Sequence, residues 1–417
     1  MPLLAADHLY KIFGRRPQRG VEALRRGATR DELRAEGLTP AVIDASFSVE
    51  PGEIFVVMGL SGSGKSTLIR MINGLHPATA GEVVIEGENL SALKGEALRR
   101  LRREKISMVF QHFALLPHRT VGENAAYGLK VQGMSRSDRE TRADQALEMV
   151  GLKGWGESLP GELSGGMQQR VGLARALAAE TDILLMDEAF SALDPLIRRE
   201  MQDQLVDLQQ RLDKTIVFIT HDLNEAMRLG DRIAMMRDGR IEQIGTAEQI
   251  LNDPQSNYVA QFVQDVDRAK VLTAGAVMER PEHVIGSEQG PQQAHKLIRE
   301  HQLDALPVVR RDRTPVGVVL PHEIATAVRE GRTDLPLTEL SAGAVTQETL
   351  LSDLLGHAAR RASPLLVVDD RGRLVGLIPQ VTLLSALSST TPQPVDDEDS
   401  GVAPARPTDA TPEEVAR

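Results

Sequence analysis

The stretch Gly59-Leu60-Ser61-Gly62-Ser63-Gly64-Lys65-Ser66-Thr67 constrains this chain more than any other. It fits G-x-x-x-x-G-K-[ST], the phosphate-binding P-loop. Its flanks agree. Residues 54–58 read as a short buried strand and residues 67–72 as the start of a helix. Glycines let backbone N–H groups turn inward around a phosphate, and the helix N-terminus adds the positive end of its dipole. Lys65 can reach the outer phosphates and the Ser66 hydroxyl can ligate Mg²⁺. An ordinary Gly/Ser turn would leave the Lys-Ser-Thr unexplained.

The bulk numbers narrow the setting. A length of 417 residues suggests two or three domains. No apolar run approaches the roughly 18 residues of a membrane span, and the N-terminus lacks a signal pattern, so the chain is expected to stay in the cytoplasm. A net charge of −11 argues against a general nucleic-acid binder, and 3% aromatics leave little for stacking on single strands. With no cysteine, disulfides and thiolate metal sites are excluded.

Along the chain, strands alternate with helices, which indicates an α/β layer fold with a parallel core sheet. An amphipathic strand ends near Phe13 and Gly14. Residues 15–40 are a charge-rich insertion whose weak pattern (Val21, Leu24, Ala28) suggests a solvated surface helix. Residues 42–49 alternate as a half-buried strand. Ile183-Leu184-Leu185-Met186 and Ile216-Val217-Phe218-Ile219 are continuous apolar runs, as parallel strands buried on both faces are. Asp238-Gly239 between two short strands signals a hairpin.

Chemistry-bearing residues follow the apolar runs. Asp187-Glu188 closes one of them, a Walker B pattern: Asp187 can hold Mg²⁺ and Glu188 can polarise an attacking water. His221 and Gln111 also follow strands, where ligands collect in open parallel sheets. Either can contact a γ-phosphate, and Gln111 can also ligate Mg²⁺. Leu163-Ser164-Gly165-Gly166 is a second Gly-rich helix start and a second phosphate cradle. After about residue 267 the style changes. Residues 307–319 align without gaps on residues 366–378, an internal repeat at an offset of 59 residues. Each copy is an apolar strand, a polar turn and an aliphatic-Gly-aliphatic strand. Residues 391–417 are rich in Pro, Asp, Glu, Ala and Thr and are expected to be a disordered acidic tail.

This set of motifs resembles the ATP-binding-cassette (ABC) ATPases. Walker A at 59–67, Gln111, the signature at 163–170, Walker B at 183–188, the D-loop Ser191-Ala192-Leu193-Asp194 and the switch His221 occur in family order. The paired repeats resemble tandem cystathionine-β-synthase (CBS) modules. Together with Leu9-Tyr10-Lys11-Ile12-Phe13-Gly14 and the run from Asp187 to Arg198, they are similar to the ATPase subunit of glycine betaine/proline importers. The resemblance implies an α/β P-loop NTPase over 1–267, with a helical insertion at about 15–40, then a tandem CBS module over 268–390 and the tail. It implies ATP and Mg²⁺ as ligands and a head-to-tail dimer. In that dimer Ser164, Gly165 and Gly166 of one copy reach the ATP held by Gly59, Ser61, Gly62, Ser63, Gly64, Lys65, Ser66 and Thr67 of the other. Asp194 joins the interface, and Phe13 or Tyr10 stacks on adenine. Met167 stands where many members have Gln. Expected partners are a membrane permease, met in part by residues 113–117, and indirectly a solute-binding protein; the expected location is the inner face of the membrane. An importer ATPase for another solute such as an amino acid, or a non-transport ABC ATPase, is the alternative.

Nucleotide-binding CBS modules carry Ser/Thr after the Gly-bearing strand and an Asp three residues on. Leu320 and Glu323, and Pro379 and Thr382, stand there instead. The alternative is a sensor of ionic strength on anionic lipid, using Arg310, Arg311, Arg313, Arg371 and Arg373, with Arg360 and Arg361 nearby.

Overall fold

Five consecutive buried residues, Ile54–Met58 (β3), form the middle of the N-terminal part of the chain. This is a computed structural model; it describes residues 1–387 apart from 112, 192, 265, 339–343 and 359–362. The expected acidic tail, Ala192 of the D-loop, and Arg360 and Arg361 therefore lie outside the described residues.

In chain order, β1 (Leu4–Phe13) is followed by α1 (Pro17–Arg25), α2 (Arg30–Ala35), β2 (Thr39–Val49), then β3. Next come α3 (Lys65–Ile72), β4 (Ala80–Ile85), β5 (Glu88–Asn89), α4 (Gly95–Lys105) and β6 (Ile106–Val109). Helices α5 (Val121–Ala125), α6 (Tyr127–Val131), α7 (Arg136–Met149) and α8 (Gly165–Ala178) lead to β7 (Ile183–Asp187). Then follow α9 (Pro195–Leu212), β8 (Thr215–Thr220), α10 (Leu223–Leu229), the hairpin β9 (Arg232–Arg237) and β10 (Arg240–Gly245), α11 (Ala247–Asn252) and α12 (Asn257–Val263).

Among the described residues these strands make two sheets. One is antiparallel, ordered β2-β1-β4-β5; the other has the order β10-β9-β3-β8-β7-β6, with β9, β3, β8, β7 and β6 parallel. The buried strands supply both faces of the second sheet, as their unbroken apolar runs predict. Val56, Met58, Leu184, Met186 and Phe218 face the helices that include α8. Phe55, Val57, Ile183, Leu185, Val217 and Ile219 face α3 and the antiparallel sheet.

The insertion departs from the surface helix expected of it. It folds as two helices, and Val21, Leu24, Leu33 and Leu38 bury against Tyr10, Ile12 and Ile43 in a cluster of their own. Four apolar residues among many charges suffice because β1 and β2 supply the other half of the core. The strand after it starts at Thr39, earlier than its apolar alternation shows.

The C-terminal part begins with α13 (Ala274–Val277), β11 (Ile285–Gly286), α14 (Pro291–His301), β12 (Leu306–Val309), β13 (Pro315–Val319) and α15 (Pro321–Arg329). It continues with β14 (Val345–Thr346), α16 (Leu351–Ala358), β15 (Leu365–Val368), β16 (Leu374–Ile378) and α17 (Gln380–Leu387). The repeat seen in the sequence is a repeat of structure. Leu306 pairs with Val319 and Val308 with Gly317; at the equivalent places Leu365 pairs with Ile378 and Val367 with Gly376.

The copies are also interlocked. Glu279, ahead of the first copy, forms an antiparallel bridge with Leu377 of the second; Thr338, ahead of the second, bridges to Val318 of the first. The shared glycine makes this possible. A Cβ on Gly376 would meet Met278 Sδ at 2.4 Å, and one on Gly317 would meet the Thr338 carbonyl at 3.0 Å. Val309, Val318, Leu366 and Leu374 close a core between the copies. Leu366 is fully buried there. Leu366→Ala should lower the stability of both copies by about 2–4 kcal/mol. Hydrogen exchange of β13 and β16 amides reads this; unchanged protection in β13 would count against a shared core.

Candidate functional site

The parallel register sets the site. Met58 lies opposite Thr220, Asp187 opposite Ile219, and Val109 opposite Met186. The residues that follow, Gly59, His221, Glu188 and Gln111, therefore emerge along one edge of the sheet.

The loop after β3 is built on left-handed backbone. Gly59, Gly62 and Gly64 have φ of 148°, 80° and 106°. It also packs against neighbouring main chain: a Cβ on Gly64 would lie 2.1 Å from the Ala41 carbonyl oxygen, and one on Gly59 2.1 Å from that of Met236. Ser61 and Gly62 are exposed, Ser63 is buried, and Thr67 is half-buried on α3. Gly64 caps α3, which begins at Lys65, two residues before the expected start. Lys65 is buried and donates to the carbonyls of Gly59 at 2.8 Å and Leu60 at 3.1 Å. Burial lowers its pKa, while Glu188 and Asp187 act the other way.

Ser66 Oγ donates to Asp187 Oδ1 at 3.1 Å. Asp187 is 3% exposed, and burial raises its pKa against the opposing effects of Ser66, Arg70 and Lys65. The Arg70 guanidinium lies 3.8 Å from its other oxygen. A buried carboxylate beside a hydroxyl is a pair of hard oxygen donors, and its nearest ion-pair partner stands off at that distance. The pair fits Mg²⁺, which takes one or two protein oxygens and completes its shell from phosphate and water.

Glu188 follows at φ 46°, a left-handed residue. Its carboxylate accepts from Gln111 Nε2 at 3.1 Å and lies 3.3 Å from His221 Nδ1. Ser191 Oγ donates to the Glu188 carbonyl at 2.9 Å, fixing the turn. The structure thus joins Gln111, Glu188 and His221 in one group, and Lys65, Ser66 and Asp187 in another beside it. Gln111 meets Glu188; it makes no hydrogen bond to Ser66 or Asp187.

Ser164 is exposed and caps α8, its Oγ accepting from the Met167 N–H at 3.3 Å. Ser164, Gly165 and Gly166 line a cleft of about 540 Å³ with Arg170 and Asp194. Asp194 caps α9, accepting from the Leu196 and Ile197 N–H groups. No residue of the 59–67 loop lines this cleft, so the two glycine-rich helix starts are separate within one chain. Phe13 is exposed at the end of β1, edge-on to His76 at 5.7 Å. Tyr10 is buried in the insertion's core.

Three contacts were not legible from motifs. Arg70 sits one helical turn after Ser66, a spacing that gave a usable but unread signal. Arg175 on α8 donates to the carbonyls of Phe113 at 3.1 Å and Ala114 at 2.6 Å, both left-handed residues after Gln111. Arg30 of the insertion touches the Gly62 carbonyl; nothing in its local sequence marks it.

In the repeats, a cleft of about 420 Å³ is lined by residues such as Arg280, His283, Asp304 and Pro379. Glu323 lies outside it and accepts from Thr338 Oγ1 at 2.8 Å. Among the basic turn residues, Arg311 pairs with Glu288 and Arg373 with Asp369. Arg310, Arg313 and Arg371 form no ion pair among the described residues.

Residues 42–191 match the family described as ABC transporter, and residues 274–330 the CBS domain. The chain is 49% identical to the glycine betaine/carnitine transport ATP-binding protein GbuA of Listeria monocytogenes serotype 1/2a (strain 10403S), over 93% of this chain and 98% of that one. It is 46% identical to the glycine betaine/proline betaine transport system ATP-binding protein ProV of Escherichia coli (strain K12), over 92% and 97%. A dimeric structure of a post-hydrolysis state of the ATP-binding cassette MJ0796, bound to ADP and Pi, is similar at a TM-score of 0.50 and 33% identity. It covers 58% of this chain and 98% of its own. Gly64→Ala would press a methyl into the Ala41 carbonyl on left-handed backbone. Strain of about 1–3 kcal/mol should weaken ADP binding by roughly five- to 150-fold. An ADP titration checks this; affinity within twofold of the unsubstituted chain would show that the loop makes room another way.

Proposed function

Because the chain belongs to the ABC ATPases, in the group of ATP-binding subunits of glycine betaine transport systems, we propose that its ATP hydrolysis drives import of glycine betaine, proline betaine or a similar solute through a separate permease. The observation that carries this reading is identity near one half along the cassette and the repeats together. Among the described residues no helix is long and apolar enough to cross a membrane. The chain works at the inner face of the membrane, bound to permease subunits that residues 113–117 help to receive, and a solute-binding protein delivers the cargo.

In this reading the loop from Gly59 to Thr67 and the buried Lys65 hold the ATP phosphates, and Phe13, the exposed ring, stacks on adenine. Ser66 and Asp187 would hold Mg²⁺, and Gln111 would be a further oxygen donor. The ion, when bound, would offset negative charge on the phosphate oxygens. Glu188 is the general base that orients and deprotonates the attacking water. Gln111 and His221, already on its carboxylate, keep it aimed and contact the γ-phosphate. Two chains pair head to tail, so that Ser164, Gly165 and Gly166 of one close on the phosphates held by the other, with Asp194 beside them. The separation of the two cradles within one chain supports this, since each is incomplete alone. Residues 1–267 form the hydrolytic unit and 268–390 regulate it. The repeats sense ionic strength on anionic lipid through Arg310, Arg313 and Arg371, which form no ion pair among the described residues.

Glu188→Gln should keep ATP binding and lower kcat by roughly 10²–10⁴-fold; near-normal turnover would remove Glu188 from its role. Uptake by the complex reconstituted with its permease should be competed by glycine betaine and proline betaine and not by amino acids such as methionine. In anionic vesicles, uptake should rise with internal KCl, and in neutral vesicles it should not. Competition by an amino acid alone would favour the other importer reading; salt dependence identical in both lipids would rule out the basic turns as the sensor.

A further inference from the structure

The connection between β1 and β2 has no topological need to be long. The strands pair antiparallel out to Phe13 and Thr39, where a turn of two residues would join them. Instead the chain makes α1 and α2 and buries a separate apolar cluster beneath them. That cluster fixes the start of α2. Thr29 forms a reciprocal capping box with Glu32, and Arg30 is the first residue of the helix.

The Arg30 side chain is largely enclosed, at 16% exposure. One Nη donates to the Asp238 carboxylate; the other reaches the Gly62 carbonyl at 3.4 Å. Asp238 and Gly239 form the tip of the β9–β10 turn, both with positive φ. The Gly239 N–H donates to the Ser63 carbonyl at 2.9 Å, and the Gly239 carbonyl accepts from the Ile43 N–H at 2.8 Å. Arg30 therefore ties together the two backbone segments that make the outer wall of the phosphate loop. Arg34 and Arg237 line the same cleft of about 530 Å³, and among its lining residues Asp238 is the sole acid.

The Arg30 guanidinium on the Gly62 carbonyl braces the peptide whose Ser63 N–H donates to the Leu60 carbonyl at 3.1 Å. It also holds the loop in shape before the phosphates arrive, which lowers the ordering cost of binding. We propose that the helical insertion is a positioning element for the phosphate loop, and that Arg30 is the positioning residue, fixing Gly62 against the β9–β10 turn. This deepens the ATPase reading above and rests on it.

The test uses the full chain and compares it with Arg30→Ala, Arg30→Lys and Asp238→Asn. Steady-state hydrolysis of Mg-ATP, equilibrium titration with ADP and thermal melting are measured on each. Arg30→Ala should raise the KM for ATP and the Kd for ADP by roughly three- to tenfold, the value of one ordinary hydrogen bond. Its kcat should move by less than about twofold. Arg30→Lys keeps the charge next to Asp238 but lacks the second planar arm, and should fall between. Asp238→Asn should shift KM and Kd in the same direction by less. ADP affinities of Arg30→Ala and Arg30→Lys equal to that of the unsubstituted chain, with or without a lower melting temperature, would overturn the proposal. Failure of the unsubstituted chain to hydrolyse ATP would instead sink the ATPase reading, while the ADP titration still reports on Arg30.

Discussion

The register of one parallel ladder sets the polar edge at which Gly59, Gln111, Glu188 and His221 emerge. β3, β8, β7 and β6 are held side by side by backbone hydrogen bonds, with Val56 opposite Phe218 and Leu184 opposite Ile216. A slip of one residue in any of them would send its apolar side chains to the wrong face. The hydrophobic cores on the two sides of the sheet therefore lock the register, and the register delivers Gly59, Gln111, Glu188 and His221 to the same edge. The chemistry of the site is short-range, but its geometry is maintained by Leu185, Val217 and Phe218, which touch no substrate. The residues at that edge add constraints of their own: the left-handed Glu188 is tolerated because Ser191 and Ile219 bind its backbone on either side.

Much of this was readable in the sequence, for physical reasons that differ from part to part. The phosphate loop is legible because its requirements are local: glycines where φ is positive, a lysine and a hydroxyl at the helix start. The buried strands are legible because a parallel strand must be apolar on both faces. The insertion's own pattern points to a surface helix because its core is shared. Val21, Leu24 and Leu33 look sparse alone, and only the inward faces of β1 and β2 complete them. Arg30 and Arg175 are illegible for a further reason. Each binds main-chain carbonyls, and any residue can offer a carbonyl, so the partner leaves no trace in composition or spacing. The repeat was plain at its 59-residue offset, and the aliphatic-Gly-aliphatic pattern was visible. That the glycine clears a path for the other copy's leading segment was not, since a pattern within one copy says nothing about which chain segment lies across it.

The rear of the phosphate loop is a meeting point. The β9–β10 turn and the insertion contribute Asp238 and Arg30, and α12 contributes Tyr258, whose hydroxyl donates to the Met236 carbonyl at 3.4 Å. Tyr258 also lies beneath the Arg237 guanidinium and against Phe262. The apolar cluster that Phe262 joins continues through Ala269 and Leu272 to Leu351, Leu365 and Ile378 of the second repeat. Packed apolar side chains thus run from the repeats to Tyr258 on α12, beside the glycine-rich loop. The repeats are seated on the N-terminal part through core contacts of the same kind that hold each one together.

The crossing of Glu279 and Thr338 between the two repeats has a consequence for how such a module can change over time. Each copy closes the open sheet edge of the other, and an uncovered edge invites pairing with foreign strands. Loss of either copy would leave the survivor with an exposed edge at Leu377 or at Val318. Duplicated domains usually drift apart because one copy is spare. Here neither copy is, so the two halves are bound to be inherited, and to diverge, as one object.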